Sequence, residues 1–141
     1  MRRMTSFLIL ALCLSLVAAG AQRRAGNLMT EWLNPAGDVG GTHYSPLTTI
    51  NKSNVTGLKA AWTWKTEEEP KNGAVPGTFE ASPIMINDVV YLSTPYNRVV
   101  ALDANSGEKI WDYDPHAYES GQPPNGTGFV HRGLATWTDG R

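Results

Sequence analysis

Two charged residues, Glu80 and Arg132, stand just before or near the start of segments that have the composition of β-strands. A guanidinium stays charged at any working pH and presents a planar fork of donors, so Arg132 suits a ligand that carries carboxylates. Glu80 offers a hydrogen-bond acceptor at the equivalent place ahead of its own strand. Each residue also has a simpler interpretation, since Glu80 could be a surface carboxylate on a loop and Arg132 a surface ion-pair residue. Both are therefore candidates for ligand binding rather than for catalysis.

Three other features could do chemistry, but each has a simpler structural explanation. His131 could act as a base near neutral pH, although a structural histidine beside a functional arginine is the commoner case. The acidic run at residues 67–69 could bind a cation, but such runs are usually solvated loops. The glycine-rich stretch at residues 37–41 lacks the preceding strand and the following helix that a phosphate-binding loop needs. We therefore assign no catalytic residue and no metal ligand within this chain.

A hairpin in the middle of the chain must position Glu80. Residues 81–86 and 89–94 are rich in strand-forming side chains. Asn87 and Asp88, which separate them, both tolerate the left-handed backbone region. This pattern predicts two antiparallel strands joined by a two-residue turn.

A second hairpin follows in the stretch Ala101-Leu102-Asp103-Ala104-Asn105-Ser106-Gly107-Glu108-Lys109-Ile110-Trp111. Asp103 can accept hydrogen bonds from the backbone amides of the turn, and Gly107 can adopt the positive φ that ends it. Trp111 would project sideways as a large flat side chain that one hairpin cannot bury, so the unit needs a neighbour of the same kind. Together the two hairpins predict four strands between about residues 80 and 114.

Strands are also expected on either side of this unit. Trp62 and Trp64 are two residues apart, so they face the same way on an extended strand. After a long proline-containing loop at residues 115–128, the stretch 129–137 predicts a new strand. Asp139 and Gly140 would begin its turn.

The composition of the 141 residues narrows the class of protein. The net charge is −1, so the chain lacks the basic excess expected of a nucleic-acid-binding protein. It is also too apolar to be disordered. Fourteen glycines, nine prolines and five tryptophans favour a turn-rich β protein.

The first 21 residues predict a secretory signal peptide. Arg2 and Arg3 precede an apolar run at residues 7–18, and Ala19-Gly20-Ala21 supplies a cleavage site. A membrane anchor is the alternative, but the run is shorter than the roughly 20 residues that span a bilayer. We therefore expect export to the periplasm, as a free or membrane-associated protein, and loss of the sole cysteine, Cys13, with the leader.

The pattern Ala-x-Asp-x-x-Ser-Gly-x-x-x-Trp at residues 101–111 resembles the tryptophan-docking repeat of pyrroloquinoline quinone (PQQ) dehydrogenases. The resemblance extends from about Trp32 to Trp137 and includes Tyr44-Ser45-Pro46-Leu47 and the ending Arg-Gly-x-x-x-Trp. It implies an all-β fold, the N-terminal part of an eight-bladed β-propeller. A blade takes roughly 40–45 residues, so residues 22–141 would supply about two blades, with one complete blade at about residues 80–114.

The resemblance also implies that Glu80 and Arg132 bind the cofactor. PQQ carries three carboxylates and two adjacent quinone oxygens, which match the donors of a guanidinium. Arg132 could also stabilise the charge that builds on those oxygens during reduction. The Ca²⁺ ligands and the aspartate base of the family lie in later blades, beyond Arg141.

The implied activity is oxidation of glucose or of another sugar or alcohol, with electrons passed to a respiratory quinone or cytochrome c. Methanol-type members of the family have two adjacent cysteines where this chain has Gly126 and Thr127, which favours the sugar branch. The alternative is a non-enzymatic propeller that binds proteins in the cell envelope. Such a scaffold shares the docking repeat but has no need of Glu80 or Arg132.

Overall fold

The computed structural model describes residues 31–125, 127–137 and 139. The predicted signal peptide at residues 1–21 lies outside these residues, as does Gly126, one of the two positions used to predict the substrate branch. Regular structure in the described part consists of four strands and two short 3-10 helices, Val55–Gly57 and Ala117–Ser120. None of its helices has the length and apolar character needed to cross a bilayer.

The four strands form one antiparallel sheet in which each strand pairs with the next along the chain. They are β1 (Ile84–Ile86), β2 (Val89–Ser93), β3 (Val99–Asp103) and β4 (Lys109–Tyr113). Tyr91 pairs with Ile84 on one side and with Ala101 on the other, and Ala101 pairs in turn with Trp111. The sheet is the four-stranded unit that the two hairpin patterns predict.

The turn between β1 and β2 has the predicted chemistry. Asn87 and Asp88 have φ values of 51° and 59°, the left-handed conformation that a two-residue hairpin turn requires at both positions. The amide of Asn87 also donates a hydrogen bond of 3.2 Å to the carboxylate of Glu31. Glu31 begins the irregular segment at residues 31–69, which we call the lead-in. The conformation of this turn is therefore determined by its own two residues and is further stabilised by the hydrogen bond to Glu31.

The turn between β3 and β4 is organised by Asp103. Its Oδ1 accepts hydrogen bonds from the amide of Ser106 at 2.8 Å, from the Ser106 hydroxyl at 3.0 Å and from the amide of Asn105 at 3.0 Å. These bonds, the one from the Ser106 amide above all, lower the pKa of Asp103 below its ordinary value of 3.8 because they favour the ionised carboxylate. Gly107 ends the turn with a φ of 74°, as predicted.

One face of the sheet is covered by the lead-in. Trp62 and Trp64 both pack against the buried side chains of β2 and β3, namely Leu92, Val100 and Leu102. The prediction that the two tryptophans face the same way is therefore confirmed. The strand predicted for them is not formed, because the residues around them pair with no other strand in the described part of the chain.

Trp62 is seated on the turn between β3 and β4. A Cβ added to Gly107 would lie 2.5 Å from the indole, so only glycine allows this contact. The indole Nε1 donates a hydrogen bond of 2.9 Å to the carbonyl of Ala104 in the same turn. The turn motif is therefore a docking site for a tryptophan from outside the hairpin.

A second cluster lies at the end of the sheet where β2 turns into β3. Its buried members are Ala74, Tyr96 and Phe129, and Ala117 and Tyr118 pack against them. The members come from two loops, one turn and the 3-10 helix Ala117–Ser120, so this Tyr96 cluster joins the segments outside the sheet to the sheet.

Two predictions about the irregular segments are wrong. The strand at residues 129–137 is absent, and within the described residues this segment makes only a single parallel bridge, between Gly133 and Ser82. A strand needs a ladder of hydrogen bonds to a partner, and one bridge does not provide it.

The acidic run at residues 67–69 is not wholly solvated either. The side chain of Glu68 is only 4% exposed and accepts a 2.9 Å hydrogen bond from Nε of Arg98. It also accepts hydrogen bonds from the Tyr96 amide and the Thr94 hydroxyl. A buried carboxylate requires such partners, so Glu68 anchors the lead-in to the turn between β2 and β3.

Candidate cofactor site

The structure brings the two predicted ligand-binding residues together. Nη2 of Arg132 lies 3.5 Å from Oε2 of Glu80, although 52 positions separate them in the sequence. The side chain of Arg132 is 82% exposed and that of Glu80 is 37% exposed. The pair is therefore a loose ion pair at the surface, and most of the guanidinium is accessible to a ligand.

A short backbone contact places the pair. The amide of Ser82, two residues after Glu80, donates a 3.0 Å hydrogen bond to the carbonyl of Arg132. This bond belongs to the parallel bridge between Ser82 and Gly133. Glu80 and Arg132 therefore lie at the same end of two segments that run side by side.

Gly133 is required by this crossing. Its φ is 154°, and a Cβ there would lie 3.2 Å from the carbonyl oxygen of Ser82 and 3.3 Å from Cγ of Pro35. A side chain would therefore press the two segments apart. The structure thus gives a local reason for the glycine that follows Arg132.

His131 has a structural contact rather than a catalytic one. Its Nδ1 accepts a hydrogen bond of 3.4 Å from the amide of Gly133. This contact supports the interpretation of His131 as a structural neighbour of Arg132.

A cleft of about 430 Å³ is formed by residues that come shortly before Glu80 and shortly before Arg132 in the sequence. Its walls are residues 75–78 on one side and the loop that includes Gln122, Asn125 and Thr127 on the other. The side-chain carbonyl of Gln122 accepts a 2.8 Å hydrogen bond from the amide of Val75, which ties the two walls together. Sequence reasoning missed Gln122, because a single glutamine in a long loop has no local signature.

Arg132 fits a ligand that carries anionic oxygens, whereas Glu80 can only accept hydrogen bonds from a donor group of that ligand. The exposed fork of Arg132 can bind carboxylates or quinone oxygens in bidentate fashion, and Glu80 is its only side-chain partner among the described residues. In the same part of the chain, no group of three or more histidine, cysteine, aspartate or glutamate residues is placed to hold a metal ion. The described residues therefore supply an exposed ion pair with an accessible guanidinium, and they add no metal centre to it.

The fold and the site together define a class of protein. A four-stranded antiparallel meander that cannot bury its own tryptophan, and that receives a tryptophan from a neighbouring segment, is a blade of a β-propeller. The ion pair between Glu80 and Arg132 lies on the segments that lead into this blade and leave it.

Comparison with known proteins identifies the family. The family described as "PQQ: Glucose/ethanol/alcohol dehydrogenase, beta-propeller domain" matches residues 32–141, and the chain belongs to this family. The match confirms the all-β propeller fold and the quinoprotein resemblance predicted from the sequence.

Individual relatives agree with the family. The chain is 40% identical over 142 residues to a protein of Paracoccus denitrificans named as a dehydrogenase, XoxF, covering 91% of this chain and 22% of that one. It is 46% identical over 77 residues to the quinoprotein glucose dehydrogenase of Escherichia coli, covering 53% of this chain and 10% of that one.

A solved structure shows the same fold. The crystal structure of quinohemoprotein alcohol dehydrogenase from Comamonas testosteroni superposes with a TM-score of 0.67 at 27% identity, covering 83% of this chain and 18% of that one. The chain therefore spans about a fifth or less of the length of these relatives.

Proposed function

We propose that the protein to which this chain belongs is a PQQ-dependent dehydrogenase that oxidises a hydroxyl group of a sugar or an alcohol. The observation that carries the proposal is the pairing of Glu80 with Arg132 at 3.5 Å, at an exposed crossing of two propeller segments. The sequence predicts that both residues bind PQQ, and the fold brings them close together. The family match over residues 32–141 supports the same assignment.

The described residues have a defined part in this activity. PQQ, when bound, supplies a quinone that accepts a hydride from the substrate. Arg132 binds and orients the acidic groups of the cofactor through its exposed guanidinium. Glu80 contacts the cofactor and limits the orientations of Arg132, because the two side chains already form an ion pair. The catalytic base and the ligands of the associated Ca²⁺ come from outside residues 31–139.

The relatives and the polar residues near the site support a proposal for the substrate class. The names of two relatives specify glucose and alcohol, so we propose glucose or another sugar or alcohol as the substrate. The cleft between residues 75–78 and the loop with Gln122, Asn125 and Thr127 has polar side chains that are compatible with a hydroxylated molecule. We further propose that the protein acts in the periplasm and passes electrons to a respiratory quinone or cytochrome c.

Equilibrium binding of PQQ to the whole protein tests the role of Arg132. Arg132→Ala is expected to weaken binding roughly 30-fold, about 2 kcal/mol, because it removes charge-assisted hydrogen bonds. Lys52→Ala removes an exposed cation elsewhere in the chain and serves as the control, for which we expect unchanged affinity. Equal affinity of the Arg132→Ala variant and the wild-type protein would contradict the assignment.

Dye reduction by the whole protein, loaded with PQQ and Ca²⁺ and given glucose or a primary alcohol, tests the activity. We expect reduction that depends on both PQQ and substrate. Failure to bind PQQ together with failure to reduce the dye would favour the alternative, a propeller that only binds proteins in the cell envelope.

A further inference from the structure

One buried side chain contacts both segments that lead to the Glu80–Arg132 pair. Tyr96 is 1% exposed and lies in the turn between β2 and β3. Its hydroxyl donates a 2.9 Å hydrogen bond to the carbonyl of Ala74, six residues before Glu80. The first segment is thereby attached to the rigid end of the sheet.

The ring of Tyr96 holds the second segment. It packs edge-on against Phe129, with ring centroids 5.2 Å apart and an interplanar angle of 80°. Phe129 is 4% exposed and precedes Arg132 by three residues. The same tyrosine therefore fixes the approach of both segments, through its hydroxyl on one side and its ring on the other.

Gly77 allows the two segments to touch between these anchors. A Cβ at Gly77 would lie 1.6 Å from the carbonyl oxygen of Phe129, a distance that no side chain can adopt. Gly77 is not among the glycines with positive φ, so space and not backbone conformation makes glycine necessary there. Any larger residue must push the Phe129 backbone away.

We propose that Gly77 and Tyr96 are positioning residues that set the separation of Glu80 and Arg132, and thereby the affinity for PQQ. The contact at Gly77 lies three residues before Glu80, and its partner Phe129 lies three residues before Arg132. A displacement there is transmitted to the pair through the hydrogen bond between the Ser82 amide and the Arg132 carbonyl. The part that concerns PQQ rests on the proposed function of the pair.

The test compares Gly77→Ala with Gly57→Ala in the whole protein. Gly57 also lacks a positive φ and has no atom within 4 Å of an added Cβ, so it is a matched control. We expect Gly77→Ala to weaken PQQ binding roughly tenfold, because it pushes the Phe129 backbone away and so displaces Arg132, whose charge-assisted hydrogen bonds depend on geometry. Gly57→Ala should bind like the wild-type protein. Equal affinity of the two variants would overturn the proposed link to PQQ.

A double-mutant comparison separates positioning from general destabilisation. If Gly77 acts through Arg132, adding Gly77→Ala to the Arg132→Ala variant should weaken PQQ binding no further. The same tenfold loss in the Arg132→Ala background would show that Gly77 acts by another route, and the proposal would fail. Tyr96→Phe, which removes only the hydroxyl, provides a milder second variant. It should weaken PQQ binding less than Gly77→Ala does, and it should have no effect on PQQ binding in the Arg132→Ala background.

Hydrogen exchange of the Ser82 amide tests the positioning without PQQ. We expect Gly77→Ala to speed this exchange roughly tenfold, because it opens the bridge to Arg132, whereas Gly57→Ala should leave it unchanged. Unchanged exchange in Gly77→Ala would overturn the positioning claim. If the wild-type protein binds no PQQ but Gly77→Ala still speeds the exchange of the Ser82 amide, only the proposed function is contradicted.

Discussion

The two faces of the sheet differ in what covers them. On one face, Trp62 from the lead-in is seated on Gly107 and bonded to Ala104 at 2.9 Å. On the other, Trp111 packs at 5.9 Å against Tyr91 but remains 44% exposed, and Tyr113 beside it is 62% exposed. The same kind of side chain is thus docked on one side and open on the other.

This difference shows how a propeller is held together. The turn that receives Trp62 belongs to the same repeat that ends in Trp111, so one unit both accepts a tryptophan and presents one. A blade therefore depends on its neighbours, because its own exposed tryptophan needs the next unit to bury it. The following predictions test this asymmetry in the whole protein.

The largest effect is expected at the docked tryptophan. Trp62→Ala removes the indole from its contacts with Gly107 and with the core of the sheet, so we expect a loss of about 3–5 kcal/mol in the free energy of unfolding. Trp62→Phe, which keeps a ring but loses the hydrogen bond to Ala104, should cost less. Denaturant unfolding measures both values. If Trp62→Ala left the free energy of unfolding nearly unchanged, docking of Trp62 would not stabilise the propeller.

The open tryptophan should matter once a following repeat covers it. We expect Trp111→Ala to cost about 2–3 kcal/mol in the whole protein, through the apolar area that the next blade buries. The fluorescence of Trp111 should likewise indicate a buried indole. A substitution without effect, or a fully solvated indole, would mean that the second face stays open and that the repeats do not dock in sequence.

A smaller effect, measured as the difference between two glycine variants, is expected at the glycine beneath Trp62. Gly107 and Gly73 have φ values of 74° and 77°, but only Gly107 faces an indole. The left-handed backbone alone costs an alanine about 1 kcal/mol, so Gly73→Ala measures that cost and Gly107→Ala should exceed it by about 1–2 kcal/mol. Equal losses in the two variants would show that the indole contact is unimportant.

The smallest effect concerns the pH dependence of the receiving turn. Because the folded pKa of Asp103 lies below its unfolded value, its contribution to stability is present above about pH 4 and is lost as the pH falls through the folded pKa. Asp103→Asn should remove this contribution and make the acid limb of the stability curve shallower. An unchanged acid limb would contradict the role of the carboxylate in the turn.

Local chemistry made much of the fold predictable. The turns at Asn87 and Gly107 depend on residues within a few positions, and the docking motif could be identified from its spacing. By contrast, the burial of Glu68 depends on Arg98, 30 residues away, and neighbouring acidic residues look the same in the sequence. The strand predicted after Phe129 failed because strand formation depends on a partner and not on composition alone.

The candidate site was predictable only in part. The family resemblance points to both Glu80 and Arg132, and Glu80 also precedes a predicted strand, but only the fold shows that the two residues are in contact. Gly77 and Tyr96 carried no local signal, since their importance comes from Phe129, 52 and 33 positions further along the chain. Contacts of such long range arise from packing, which single-sequence patterns do not encode.

The most direct test is a crystal structure of the whole protein with PQQ bound, in which the position of the Arg132 guanidinium is measured. The account predicts that its nitrogens lie within about 3 Å of cofactor oxygens, with Glu80 beside them. A guanidinium that points away from an occupied cofactor site would contradict the central claim.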